Sequence, residues 1–178
     1  MTPACLAFGQ RVLTADMIRG ARVLEVGAYD VNGSFRPLAE ALGPAEYVGV
    51  DITPGPRVDL ICDATELEGR FGQASFDVVI TTEMLEHVED WRTVSRNLKA
   101  VLRPGGWLVL TTRAPGFARH DWPADHWRYT EADLRAMFGD LDIIECVEDR
   151  SDMGAFLVAR RVGEPVEPQG GFCPHPVP

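Results

Sequence analysis

The sequence has no apolar run near the ~20 residues that a membrane-spanning helix needs, and its first residues lack the basic and apolar blocks of a secretory leader. A soluble, cytoplasmic protein with no membrane partner is therefore expected. Cysteine is scarce and scattered: Cys5, Cys62, Cys146 and Cys173 show no CxxC spacing, which argues against a zinc ribbon and offers no disulfide framework. Reduced thiols are expected. Positive charge is short as well, with 17 Lys plus Arg against 27 Asp plus Glu and a formal net charge of −10. Affinity for long nucleic acids rests on Lys and Arg neutralising phosphates, and no basic run marks a patch for them.

What is present, in 178 residues that are 46% hydrophobic and 25% charged, is the composition of one ordinary globular domain. From Ala21 short apolar runs alternate with amphipathic stretches, the sequence form of β/α units on a largely parallel sheet. ARVLEV (21–26), YVGV (47–50), VDLI (58–61), FDVVI (76–80) and WLVLTT (107–112) read as buried strands. Phe35, Leu38 and Leu42 recur at helical spacing after the first, while DITPGPR is too short and too rich in Pro and Gly for a helix between the second and third. A longer helix is predicted from Asp90, with Trp91, Val94, Leu98, Val101 and Leu102 on one face and Pro104-Gly105-Gly106 as its stop. Thr130 and Asp133 resemble a capping box, and two last strands near 142–147 and 155–159 are close enough to pair antiparallel.

Chemistry concentrates at the strand ends. VLEVGAYDVNG closes the first strand, Asp51 the second, and Asp63 follows the third; in a doubly wound sheet these carboxyl ends line one crevice. Gly27 lets a ligand approach the backbone, and Asp51 can accept hydrogen bonds from both ribose hydroxyls, which suits any adenine nucleoside cofactor. Glu25 and the absence of a regular GxGxxG argue against the pyrophosphate of NAD. They suit the cationic, phosphate-free S-adenosylmethionine.

VLEVG, VGVD, CDATEL, FDVVITTEMLEHVEDW and LRPGGWLVLTT, in that order over 21–161, resemble the successive motifs of class I S-adenosylmethionine-dependent methyltransferases. The resemblance implies a doubly wound, Rossmann-like α/β sheet of seven strands in the order 3-2-1-4-5-7-6, the last strand antiparallel. It implies that the methionine moiety meets Glu25, Gly27, Ala28, Tyr29 and Gly33 and the backbone of Thr81, Thr82 and Glu83. The ribose would meet Asp51 beside Ile52, and the adenine Asp63 and Ala64. In this family Glu25 usually orients the glycine loop. The loop departs from the pattern, with Tyr29 and Val31 where glycines are usual, so Gly33 is expected to serve as the last of them.

Methyl transfer is an in-line displacement that needs alignment and, for a hydroxyl or amine, a general base. His87, His120 and His126 are the candidates, two of them in the irregular 113–129 stretch, whose length suggests a functional lid. Glu83, Glu86 and His87 also have an ExxEH spacing that one helical turn would gather, with His126 as a fourth ligand. That set resembles the magnesium sites of small-RNA 3′-terminal 2′-O-methyltransferases and ubiquinone-pathway O-methyltransferases, where the ion would hold a diol such as a ribose terminus or a catechol. EHV is also widespread in metal-free relatives. Trp91 and Trp107 read as packing residues, Trp122 and Trp127 as packing or stacking, and Arg128 as a surface salt bridge or a partner for a carboxylate substrate.

The expected organisation is an N-terminal helical segment over the active edge (1–20), the methyltransferase domain (21–162) and a Pro/Gly-rich tail, mobile or laid extended on the surface (163–178). The expected activity is methylation of an O, N or C atom of a small-molecule acceptor. A homodimer or other partner chain could complete an open pocket. A non-catalytic cofactor-binding subunit is the alternative from a different class.

Overall fold

Runs that are apolar toward both sides need cover on both, and that requirement organises the chain. In a computed structural model describing residues 1–163 and 172–177, β1 (Arg22–Val26), β2 (Glu46–Asp51), β3 (Leu60–Ile61), β4 (Phe76–Thr82), β5 (Leu102–Arg113), β7 (Asp142–Asp149) and β8 (Gly154–Arg160) form one sheet. Its order is β3-β2-β1-β4-β5-β8-β7. Strands β1 to β5 pair in parallel, and β8 runs antiparallel to both β5 and β7. Counted within this sheet alone, the order is the 3-2-1-4-5-7-6 expected. A separate two-stranded ribbon joins β6 (Trp127–Arg128) to β9 (His175–Pro176).

Alternate residues of each strand go to opposite faces. Leu24, Val79, Leu108 and Leu157 enter the core under α4 (Leu67–Phe71), α5 (Trp91–Val101) and α6 (Glu131–Phe138). Val23, Val78, Val109 and Val158 enter a second core with α1 (Pro3–Val12), α2 (Ala15–Ile18) and α3 (Arg36–Glu40). Helix α5 shows the logic most clearly: the Asp90 carboxylate accepts the Thr93 N–H at 3.1 Å and starts it, and Trp91, Val94, Leu98 and Val101 are buried along one side. Each such side chain contributes about 1.5–3 kcal/mol of burial. The helix ends at Val101, before the expected Pro104-Gly105-Gly106 stop, which instead lies in an irregular start to β5.

The capping box at α6 forms as expected, Thr130 Oγ1 accepting Asp133 N–H at 3.2 Å and Asp133 accepting Thr130 N–H at 2.7 Å. Two elements are shorter than the pattern predicts. Helix α3 is five residues long, with Phe35 as its N-cap residue and Leu42 beyond its end, and β3 is only two residues. The Pro-Gly-Pro segment before β3 leaves little chain to extend beside β2.

All four cysteines are free thiols. Burial pushes the Cys5 thiol up to about 12, which makes it an inert packing group. No helix among the described residues is long and apolar enough to cross a membrane. Of the expected tail, 164–171 and 178 lie outside the described residues, while 172–177 run over the surface, with the Phe172 ring 5.0 Å from Trp91.

Candidate active site

The carboxyl ends of β1 to β5 open into one cavity of about 800 Å³. After β1 the chain turns at Gly27, whose φ is +78° and whose missing Cβ would sit 2.6 Å from the Met84 side chain. Only glycine meets both conditions. The loop is then laid across β2: Gly27 and Ala28 N–H groups donate to Val50 O at 3.0 Å, and Tyr29 N–H donates to the Asp51 carboxylate at 3.1 Å. The other Asp51 oxygen accepts Thr53 N–H at 3.0 Å. Each oxygen keeps a lone pair for a ligand. Asp63 is similarly engaged, accepting the N–H and hydroxyl of Thr65, both at 2.8 Å.

Glu25 is 1% exposed beneath this loop. Its two oxygens accept Ser34 O–H at 3.1 Å and Tyr47 O–H at 3.0 Å, so it ties the end of the loop to β2. Burial pushes its carboxyl up to about 7, although both hydroxyls favour the charged form. Gly33, with φ +129°, donates its N–H to Asp30 at 2.8 Å and closes the loop.

The opposite side of the cavity is the 113–129 segment. Its centre is Arg128, 3% exposed, which clamps Asp125 through both terminal nitrogens at 2.5 and 2.7 Å and donates to Phe117 O, Ala118 O and Trp127 O. Burial pushes the Asp125 carboxyl up, but Arg128 and the His120 N–H overcome it and hold it at about 2. Arg128 is therefore an internal rivet, not the surface or substrate-facing residue expected. Arg113 leaves the end of β5, stacks 4.1 Å over Phe117 and pairs with Glu83.

At the junction of β4 with this segment, Glu86 is completely buried and accepts Thr112 O–H at 2.8 Å through Oε2. Its Oε1 has no hydrogen-bond partner among the described residues. His87 Nε2 lies 4.0 Å and His120 Nε2 3.8 Å from that oxygen. Burial pushes the Glu86 carboxyl up, but His120, His87 and Thr112 prevail and hold it below its ordinary value. In return Glu86 raises the His120 imidazole above its own.

A family model described as a methyltransferase domain matches residues 1–150. The chain belongs to this family. A ubiquinone biosynthesis O-methyltransferase of Chromobacterium violaceum is 32% identical to this methyltransferase domain over 108 residues, which are 53% of this chain and 45% of that protein. Phthiotriol/phenolphthiotriol dimycocerosates methyltransferase 1 of Mycobacterium ulcerans is 28% identical over 164 residues, covering 85% of this chain and 59% of that one. The chain thus spans less than half the length of the ubiquinone-pathway relatives it matches. The fold is shared with 1,6-didemethyltoxoflavin-N1-methyltransferase of Burkholderia thailandensis, solved with 1,6-didemethyltoxoflavin and S-adenosylhomocysteine, at a TM-score of 0.68 and 21% identity over 90% of this chain and 79% of that chain.

Among the residues expected for cofactor contact, Glu25, Gly27, Ala28, Tyr29, Gly33, Asp51, Ile52, Asp63, Ala64, Thr82 and Glu83 all line the cavity of the methyltransferase domain. Thr81 does not: it is fully buried in β4, behind the wall. His87, His120 and His126 also face the cavity. The ExxEH set, raised as an alternative, does not assemble. Leu85–His87 is a single 3-10 turn rather than an α-helical one, Glu83 takes a left-handed φ of +54° and is engaged by Arg113, and His120 replaces His126 beside Glu86 and His87. His126 contributes its backbone, donating N–H to Glu86 O at 2.8 Å.

Arg113, Phe117 and Met84, none of them singled out from sequence, also line the cavity. Arg113 had one signal, its place at the end of the fifth strand, where such sheets present ligand contacts. Met1 and Thr2 reach the cavity from the start of the chain, beside α1.

Proposed function

We propose that this domain binds S-adenosylmethionine and transfers its methyl group to an oxygen of a small-molecule acceptor. One observation carries the cofactor choice. Arg113 is the single Lys or Arg among the described residues lining the cavity, and Glu83 already pairs with it, while Glu25, Asp51 and Asp63 stand at the ends of β1, β2 and β3. Such a cavity favours a cation carrying a sulfonium and an ammonium group and disfavours a pyrophosphate. Its volume of about 800 Å³ is in the range for a cofactor with a small acceptor beside it.

The residues fit the group. Asp51 has acceptor capacity left for the ribose hydroxyls, Asp63 and Ala64 lie at the next strand end for the adenine, and the Gly27 turn gives the methionine moiety access to backbone. When bound, S-adenosylmethionine supplies an activated methyl on a positively charged sulfur. The chain's part is to align the acceptor and take up its proton. The bound donor would supply its methyl from the sulfonium to an acceptor oxygen, leaving the bonding pair on sulfur, and Glu86, His87 and His120 stand where they would take the proton that the oxygen gives up. Oxygen is favoured as the acceptor atom by the O-methyltransferase names of the ubiquinone-pathway relatives and by the imidazoles that face the acceptor space.

Calorimetric titration of the purified chain with S-adenosylhomocysteine, with NAD as control, tests the reading. Micromolar affinity for the first alone is the expected result. A folded chain that binds neither ligand overturns it, and one that binds S-adenosylhomocysteine but methylates no phenol, catechol or alcohol in a broad screen points to a cofactor-binding subunit.

A further inference from the structure

We propose that Asp30 and Arg57 are positioning residues for the cofactor: with Tyr29 packed on Gly55, they fasten the 27–33 loop to the connection between β2 and β3, so that the two loops form one preformed seat. Tyr29 and Val31 stand where the family usually has glycine. A loop rich in glycine has much conformational freedom and loses it when it is ordered. In this chain side chains hold the loop in advance.

Arg57 Nε donates to the Asp30 carboxylate at 2.7 Å, and the other Asp30 oxygen accepts Gly33 N–H at 2.8 Å. Asp30 N–H donates to Pro56 O at 3.2 Å. The Tyr29 ring lies against Gly55, where a Cβ would stand 2.0 Å from the ring edge. Tyr29 N–H donates to Asp51, which ties the carboxylate at the end of β2 to the same loop. The guanidinium of Arg57 holds the Asp30 carboxyl below its ordinary value, which keeps the pair charged at neutral pH.

Arg57 takes a left-handed φ of +67°. That conformation is costly for a residue with a side chain and persists where neighbours over-determine it. Here Arg36 Nη1 donates to Arg57 O at 3.1 Å, and Arg36 is itself held by Asp59 at 2.7 Å and Glu40 at 2.8 Å. Neither Asp30 nor Arg57 lines the cavity, so their effect on a ligand passes through Tyr29, Gly33 and Asp51, which do. Their side chains are 34% and 21% exposed, Arg57 first, which keeps the pair's share of folding stability small. Its consequence is for binding, because a seat already in shape needs no ordering when the cofactor arrives.

The test compares variants of the whole chain by S-adenosylhomocysteine calorimetry, melting temperature and amide hydrogen exchange of residues 28–33. Arg57→Asn tolerates the left-handed backbone without the cation, and Asp30→Asn keeps an acceptor for Gly33 without the charge. Each is expected to weaken S-adenosylhomocysteine binding about three- to fivefold and to speed exchange in the loop, with the melting temperature nearly unchanged. Arg57→Lys should keep most of the affinity, and the double variant Asp30→Asn with Arg57→Asn should bind no worse than either single one. Gly55→Ala should weaken binding by turning the Tyr29 ring aside, and should add nothing in a Tyr29→Gly chain. Affinity equal to the parent's in both Arg57→Asn and Asp30→Asn overturns the proposal. So does a loss that follows the melting temperature and is shared by Arg57→Lys, the mark of general destabilisation. The cofactor role rests on the methyltransferase reading, and a parent that binds no S-adenosylhomocysteine removes both. Exchange then decides the fastening alone, upheld if the loop exchanges faster in Arg57→Asn and overturned if it does not.

Discussion

At the ends of β1, β2 and β3 the cavity wall is largely backbone: the loop after Gly27 is laid on β2 by main-chain N–H groups, and Asp51 and Asp63 accept further N–H groups. Across from it, the 113–129 segment has little regular structure and is held by side chains, above all by the Arg128–Asp125 pair and the carbonyls that Arg128 gathers. A wall made of backbone spreads its energy over many small terms and keeps one shape for one cofactor. A wall made of a few buried charges depends on each of them, and its lining can change without rebuilding the sheet behind it.

That contrast can be broken most directly at Arg128. Replacing it with Met leaves Asp125 buried without its cation, and a loss of about 3–5 kcal/mol is expected in urea unfolding. A loss under about 1 kcal/mol, the scale of a surface pair, would mean that the two walls are held alike. On the backbone side, carrying the Glu25 carboxyl from its ordinary 4.5 to about 7 amounts to about 3 kcal/mol. A raised acid favours the folded state in its protonated form, so this stability is complete below pH 4.5 and is lost as pH rises through about 7. Melting temperature followed across that window should fall in the parent and be flatter in Glu25→Gln.

A smaller effect sharpens the difference further. Asp51→Ala should cost about 1.5–3 kcal/mol of S-adenosylhomocysteine affinity, the range for hydrogen bonds to a charged group, while the melting temperature changes little. Undiminished affinity by calorimetry would remove Asp51 from the cofactor wall. The smallest effect belongs to Thr130→Ala, expected to lower stability by about 1 kcal/mol through loss of the α6 cap. Equal unfolding midpoints of variant and parent would mean that the box is decorative.

The same division explains what was legible beforehand. Strands apolar on both faces, the Asp90 start of α5 and the Thr130–Asp133 box are local patterns and mark the elements, while the sheet order follows only from the resemblance to the methyltransferase family. Glu25, Gly27, Asp51 and Asp63 were legible because strand ends in this topology converge. The lid side was not, because burial there is decided by distant partners. Asp125 and Arg128 are three residues apart, yet nothing local shows that the carbonyls of Phe117 and Ala118 would close over the guanidinium. The ExxEH spacing misled for a related reason: it assumes an α-helical turn, and Glu83 with its left-handed φ and the short 3-10 turn after it turn the side chains elsewhere. His120 and His126 were equally good candidates until the chain's path brought one of them beside Glu86.

Strand β9 gives the lid wall a schedule of its own. It braces β6 from far downstream, with Val177 N–H on His126 O and Arg92 on Phe172 O. Among the described residues 172–177 are made last, so the acceptor wall is the last part of the cavity to be braced, and a fusion or cut placed just after the sheet would be felt there first.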